Sequence, residues 1–238
     1  MPISESPLQL LGLIGGMSWE STTHYYQVLN RMTRERLGGR HSARLLLWSV
    51  DFAPVAEKQE AGQWDALAEE LSEAARRLEG AGAEALVICA NTMHLMADQV
   101  ADAVSIPLIH IADATADAIK AADVERPLLL ATRFTMERDF YRNRLAMNGV
   151  DALIPDEADR AELHRIIFDE LVQGKFRKAS RQKLLDMVEK EREARGIDGV
   201  ILGCTEFGML TPPDQYDVPA IDTALEHCKA AMDVALDG

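Results

Sequence analysis

Short, uninterrupted apolar runs alternate along this chain with segments whose apolar residues return at helical spacing. That alternation limits the fold more than any other feature of the sequence. The runs fall at 8–14, 44–50, 84–90, 107–111, 127–131, 150–154 and 198–203, with a weaker one at 218–221. They are continuous rather than alternating, so each is expected as a strand buried on both faces. Between them, Trp64, Leu67, Leu71, Ala74, Ala75 and Leu78 mark one helical stripe, and Ile166, Ile167, Leu171, Leu184, Leu185 and Val188 continue the pattern. Strand, helix, strand at this rhythm means parallel crossover units and an α/β fold.

The alternation runs twice. The first pass goes from 8–14 through 44–50 to a strand closing in Cys89-Ala90-Asn91-Thr92, the second from 127–131 through 150–154 to one closing in Gly203-Cys204-Thr205-Glu206. Two similar Rossmann-like lobes are expected, pseudo-twofold related, each with a parallel sheet and with the active site in the cleft between them. The expected lobes are 1–115 with 212–238, the last helix returning to it, and 116–211. Ligands of open α/β sheets gather outside the carboxyl ends of strands. Here those ends carry Gly15-Gly16-Met17-Ser18, Ala90-Asn91-Thr92, Thr132-Arg133-Phe134-Thr135 and Cys204-Thr205.

Charge removes several partner classes. Among 238 residues, 25 Lys and Arg stand against 39 Asp and Glu, a net charge of −14 without a basic run, which argues against nucleic acid and anionic membranes. The N-terminus lacks a basic leader region and no apolar run reaches the roughly 18 residues of a membrane span, so a cytoplasmic protein is expected. Cys89, Cys204 and Cys228 are too few and too widely spaced for a disulfide or zinc framework, and free thiols are expected. His24, His41, His94, His110, His164 and His227 form no HxxxH or HExxH pair, and no lysine ends a strand in a phosphate-loop context. Neither a metal nor pyridoxal phosphate is expected, and no other cofactor.

Gly12-Leu-Ile-Gly-Gly16 matches no nucleotide-binding pattern. It reads either as a tight strand-to-helix turn or as backbone amides that meet a carboxylate, with Ser18 and Ser21 as caps of the following helix. Cys228 shares a helical face with Ala224, Leu225 and Met232 and reads as core. Cys204 reads either as a small buried hydrophobe or as an acid–base thiol. Gly203 before it allows close backbone approach, and Thr205 with the start of a helix supplies donors expected to lower the thiol pKa. Asn91 and Thr92 are either helix caps or a polar pair that grips the charged groups of an amino acid.

Several segments in order complete the picture: Leu13-Ile-Gly-Gly-Met-Ser-Trp-Glu-Ser-Thr22, Ser49-Val-Asp-Phe52, Asn91-Thr-Met-His94, Ala131-Thr-Arg-Phe-Thr-Met136 and Gly203-Cys-Thr-Glu206. Together they resemble the aspartate/glutamate racemase family over nearly the whole chain, most of all its broad or acidic amino-acid racemases of enterobacterial type. The resemblance implies racemisation without a cofactor, an amino acid or related carboxylate as substrate, and a homodimer. It implies two thiols on opposite sides of the substrate α-carbon, one removing the proton and the other returning one. Cys204 matches the second thiol. Asn91, Thr92, Thr132, Thr135 and Thr205 match positions that bind the α-carboxylate and α-ammonium, with Met17 and Gln59 lining the site.

Two residues depart from the family pattern. The first-thiol slot, immediately before Asn-Thr, holds Ala90, and Cys89 lies one residue early, where strand alternation points it to the other face. Glu162 stands where relatives carry a lysine that meets a distal carboxylate, which makes it a candidate side-chain pocket residue expected to repel an acidic substrate. The expected function is an amino-acid racemase using Cys204. The alternatives are a single-cysteine lyase or decarboxylase of the same superfamily and a non-catalytic amino-acid-binding protein.

Overall fold

The computed structural model describes residues 8–236. The stretch 1–7, part of the N-terminus read above as lacking a leader, lies outside the described residues, as do 237 and 238. The chain divides into two compact units. One takes residues up to 89, 95–110 and 227 onward, and the other takes 90–94 and 111–226.

The first unit holds β1 (Leu11–Gly15), α1 (Trp19–Leu37), β2 (Leu45–Ser49), α2 (Phe52–Glu60), α3 (Trp64–Gly80), β3 (Ala85–Ile88), α4 (Ala97–Asp102) and β4 (Leu108–Ile109). Its sheet is parallel in the order β2-β1-β3-β4. β1 and β3 are buried at every position, as continuous apolar runs between helices require. The stripe foreseen on α3 is its buried face, with Leu67, Leu71, Ala74, Ala75 and Leu78 all inward.

At the end of β1 the chain turns through Gly16, whose φ is +91°. A Cβ there would lie 2.3 Å from the Val50 carbonyl oxygen, so the turn requires glycine. The Gly16 N–H donates to Thr22 Oγ1 at 2.8 Å, and Ser18 caps α1 by accepting from the Ser21 N–H at 3.3 Å. The Ser21 hydroxyl, also foreseen as a cap, is buried without a partner. Tyr25 and Leu29 face inward, whereas Trp19 and Tyr26 are exposed.

The second unit holds α5 (Ile111–Ala121), β5 (Pro127–Ala131), α6 (Arg133–Glu137), α7 (Asp139–Met147), α8 (Glu157–Asp169), α9 (Lys178–Arg195), β6 (Gly199–Gly203), α10 (Phe207–Leu210) and β7 (Ala220–Asp222). The last helix, α11 (Thr223–Leu236), begins in this unit and continues into the first from His227. The second sheet is parallel in the order β5-β6-β7. On the other edge of β5, Leu153 makes an isolated parallel bridge to Leu128. The run at 150–154 is therefore a single bridge rather than a strand, because Pro155 follows at once and supplies no ladder donor. With that bridge counted, the second unit repeats the strand order of the first, which is the duplication that the sequence suggests.

The expected lobe boundaries need correction in three places, the first being that 90–94, the turn after β3, belong to the second unit. β7 pairs with β6, so 212–226 belong to the second unit rather than the first. The junction between the units lies between His110 and Ile111, where α5 starts packing on the second core, instead of at 115. Among the described residues no helix is long and apolar enough to cross a membrane.

Candidate active site

The ladder between β5 and β6 pairs Ala131 with Gly203, so Thr132 and Cys204 leave the sheet side by side at its carboxyl end. Parallel neighbours lie about 4.8 Å apart, close enough for one small ligand to meet both ends. Gly203 makes the closeness possible: a Cβ there would stand 2.7 Å from Leu129 Cδ1.

Three hydroxyls form a closed cluster beside this end. Thr92 Oγ1 lies 2.9 Å from Thr132 Oγ1 and 3.0 Å from Thr135 Oγ1, and the last two are 3.1 Å apart. Thr132 also caps α6, accepting from the Thr135 N–H. A mutual hydroxyl cluster has no fixed proton order, so its protons can turn outward to an anion.

Asn91 does not cap the turn that follows it. Its Nδ2 donates to Thr223 Oγ1 at 3.0 Å, and Thr223 Oγ1 donates to the Leu202 carbonyl at 2.8 Å. The turn after β3 is thus tied to the end of β6. Asn91 Oδ1 is buried without a hydrogen-bond partner, an acceptor of the kind that an ammonium group satisfies. His94 holds the same turn from behind: Nδ1 lies 2.8 Å from the Ala90 carbonyl and Nε2 accepts from the Ile111 N–H at 3.2 Å.

Cys204 is 6% exposed, and its thiol donates to Glu206 Oε2 at 3.1 Å. Thr205 Oγ1 donates to the same oxygen at 2.8 Å. The expectation that the neighbours lower the thiol pKa is overturned. Burial pushes it well up, and the Glu206 carboxylate adds to the rise, as does the more distant Asp222; the backbone N–H of Glu206 opposes them. The helix meant to supply amide donors is only the four-residue α10, and the side chain that meets the thiol is an acceptor, the Glu206 carboxyl.

Asp222 ends β7 and accepts from the N–H groups of Ala224 and Leu225, capping α11. A Cβ on Gly208 would lie 1.9 Å from Asp222 Oδ2, so this close approach also depends on glycine.

Glu206, Asp222 and Thr223 are the site residues that sequence reasoning missed. Glu206 stands inside the Gly-Cys-Thr-Glu motif, where its spacing from Cys204 was the available signal. Asp222 and Thr223 directly follow the weakest of the apolar runs, and nothing local links them to Cys204.

Met17 and Gln59 are buried side chains of the first unit. Cys89 is fully buried, its N–H still pairing with the Ile14 carbonyl, and burial pushes its thiol pKa up. Cys228 is fully buried on α11. Ala90 follows Cys89 and is 7% exposed.

Glu162 does not stand as a free charge. Arg165 donates to both of its oxygens, Lys183 of α9 pairs with it, and its carboxyl is pulled down to about 2, chiefly by the Arg165 hydrogen bonds. The repulsion of an acidic substrate expected from this residue therefore loses its basis. On the same helix, His164 meets α6, accepting from the Arg133 N–H at 3.4 Å with its ring edge-on to Phe134.

The depressed Glu162 carboxyl makes a stability prediction. A group lowered from 4.5 to about 2 on folding stabilises the fold above pH 4.5, and the contribution is lost as pH falls through 2. Glu162→Gln is expected to cost about 1 kcal/mol at neutral pH, in keeping with a largely surface ion pair. Thermal melts of both proteins should converge as the pH is lowered toward 2.

Among the described residues no group of three or more His, Cys, Asp or Glu side chains is arranged to hold a metal ion.

Comparison with known proteins gives a consistent result. The family model for Asp/Glu/hydantoin racemase matches residues 14–231. The chain is similar to a candidate Asp/Glu racemase from Yersinia pestis, at 46% identity and TM-score 0.87, covering 96% of this chain and 100% of that one. It is similar to an aspartate racemase homologue from Pyrococcus horikoshii OT3, at 35% identity and TM-score 0.82, covering 95% and 99%. A broad specificity amino-acid racemase of Bacillus subtilis is 20% identical over 230 residues, 95% of this chain and 98% of the relative. A match of the family model across nearly the whole α/β framework means that the chain belongs to the Asp/Glu/hydantoin racemase family and is an isomerase.

Proposed function

We propose that this isomerase racemises an α-amino acid without a cofactor, with Cys204 removing and returning the α-proton. The observation that supports this most is the Cys204 thiol at the end of β6, beside the hydroxyls of Thr92, Thr132 and Thr135 and the unpartnered Asn91 Oδ1. In this reading the hydroxyls and Thr205 take the α-carboxylate while Asn91 takes the α-ammonium. Preorganised donors then stabilise the negative charge that spreads onto the carboxylate as the proton leaves. The resemblance assigns Met17 and Gln59 to substrate binding as well, and they are carried in this reading on that ground. Assembly as a homodimer and a cytoplasmic location belong to this reading too, the former in keeping with the exposed Trp19 and Tyr26 of α1.

The two sheets share a register that bears on the second thiol. β3 begins opposite Leu11 and β6 begins opposite Pro127, and five residues beyond each start stand Ala90 and Cys204. The slot equivalent to the Cys204 thiol therefore holds a methyl group, and Cys89 is equivalent to Gly203. This favours a second reading, a one-thiol lyase or decarboxylase that protonates one face.

The decisive assay is incubation with L- and D-amino acids, acidic, neutral and basic, in deuterated water, following α-proton signals and chirality together. Racemisation is expected to show as α-proton exchange with inversion of at least one amino acid. A new product in place of the enantiomer would establish the lyase, and no exchange with any amino acid would leave a binding protein.

A further inference from the structure

The Asn91 amide, the Thr223 hydroxyl and the Leu202 carbonyl form a relay of buried hydrogen bonds within the second unit. We propose that Thr223 is the positioning residue that fixes which end of the Asn91 amide a ligand meets, and so sets the site to take α-amino acids ahead of α-hydroxy acids. This rests on the reading above that Asn91 takes the α-ammonium, and adds to it the residue that makes Asn91 an acceptor.

A hydroxyl has one proton to donate. That of Thr223 goes to the Leu202 carbonyl at 2.8 Å, a group that only accepts, so toward Asn91 the Thr223 oxygen offers lone pairs alone. The two ends of a carboxamide are told apart by the partners they meet. Asn91 must therefore turn its NH2 to Thr223, and its Nδ2 donates there at 3.0 Å. The other end, Oδ1, is buried and has no partner among the described residues. Thr223 is fully buried and Asn91 is 4% exposed, so both bonds form away from bulk solvent. Thr223 is itself held in place: it opens α11, whose first turn Asp222 caps through the N–H groups of Ala224 and Leu225.

An ammonium group carries donors only, and its charge-assisted bond to Oδ1 is about twice as strong as a neutral one. A hydroxyl in the same place makes the neutral bond. With the amide reversed, its NH2 would face the ammonium donor against donor, whereas a hydroxyl can accept from it. The orientation of one amide therefore separates the two ligand classes, and a side chain that need not touch the ligand sets that orientation.

The test compares acids that differ only in the α-substituent: alanine with lactate, aspartate with malate, and lysine with its 2-hydroxy analogue, each as both enantiomers, by titration calorimetry at pH 7. The wild type is expected to bind the amino acid of at least one pair about tenfold more tightly than the hydroxy acid. Thr223→Val keeps the shape and removes the hydroxyl. It is expected to weaken the amino acid about tenfold and the hydroxy acid less than about twofold, so that the preference collapses. Thr223→Ser returns the hydroxyl and is expected to return the preference. A merely structural role would weaken both acids alike, and a preference that survives in Thr223→Val, or is absent from the wild type, overturns the proposal.

The amide orientation is also read without a ligand. The Asn91 side-chain NH2 signals in an NMR spectrum are identified as the pair missing from Asn91→Asp. One of them is expected to exchange with deuterium at least about tenfold more slowly in the wild type than in Thr223→Val, because it donates inside the protein. Equal exchange in the two proteins overturns the orienting role, whatever the binding shows. Exchange of substrate α-protons, assayed as above, separates this proposal from the reading it rests on. Turnover of an amino acid without a preference for it over its hydroxy analogue sinks the proposal alone, whereas a wild type that neither binds nor turns over any amino acid removes the amino-acid reading and the preference together. Should Thr223→Val not fold, Thr223→Ala removes the same hydroxyl with less bulk, and an unchanged preference there counts against Thr223.

Discussion

Replacing Cys204 with alanine is expected to abolish α-proton exchange, lowering kcat by about 10⁴-fold or about 5.4 kcal/mol of barrier. The size follows from the lack of an alternative. Among the described residues, the side chains beside Cys204 are threonine hydroxyls, too weakly basic to remove an α-proton, and Glu206, which accepts from the thiol. Cys89→Ala, by contrast, should cost little activity, since that thiol is enclosed in core and its N–H remains in the strand ladder. The measurement is loss of the α-proton signal in deuterated water for each variant. Activity surviving in Cys204→Ala and lost in Cys89→Ala would show that the catalytic strand end has been assigned to the wrong half.

Ala90→Cys is expected to give the second large effect, in the opposite direction. In the proposed mechanism, one thiol and a methyl in the equivalent slot give proton removal a catalyst and leave delivery to the other face without one. The wild type should therefore exchange the α-proton of one enantiomer faster than it inverts it. General acid catalysis contributes about 10² to 10⁴-fold, so a restored thiol should raise inversion relative to exchange by roughly 10²-fold, allowing for an unrefined geometry. The ratio of deuterium incorporation to enantiomer formation, taken from the same samples, reports this without depending on enzyme concentration. If the wild type inverts both enantiomers at the rate at which it exchanges them, and Ala90→Cys adds nothing, the one-thiol mechanism is wrong.

The fold was legible because buried parallel strands announce themselves locally. β1, β3, β5 and β6 are apolar at nearly every position, and no partner has to be known to see it. The run at 150–154 misled because composition does not report whether a neighbouring edge will accept a ladder, and there a single bridge suffices. The assignment of 212–226 failed for a related reason: the partner of β7 is β6, a long-range choice that the short segment does not encode.

The candidate site was legible as an arrangement where placement follows strand order. Thr132 and Cys204 end adjacent strands, and that follows from topology. The sign of the Cys204 shift was not legible, because it depends on whether the Glu206 side chain folds back toward the sulfur or away from it. Glu162 illustrates the same limit. Its neighbour in sequence, Arg165, was visible, but the closing cation, Lys183, comes from another helix.

One feature of the division into units bears on how the molecule is made. The first unit takes its last helix from His227 onward, and the Gln9 N–H donates to the Ala235 carbonyl. A ribosome that delivers the chain from its N-terminus presents the first sheet early, but the segment that completes that unit emerges after the whole of the second. The half of the protein translated first is thus the half that is finished last, and until then the apolar surface awaiting α11 is open to chaperones and to aggregation.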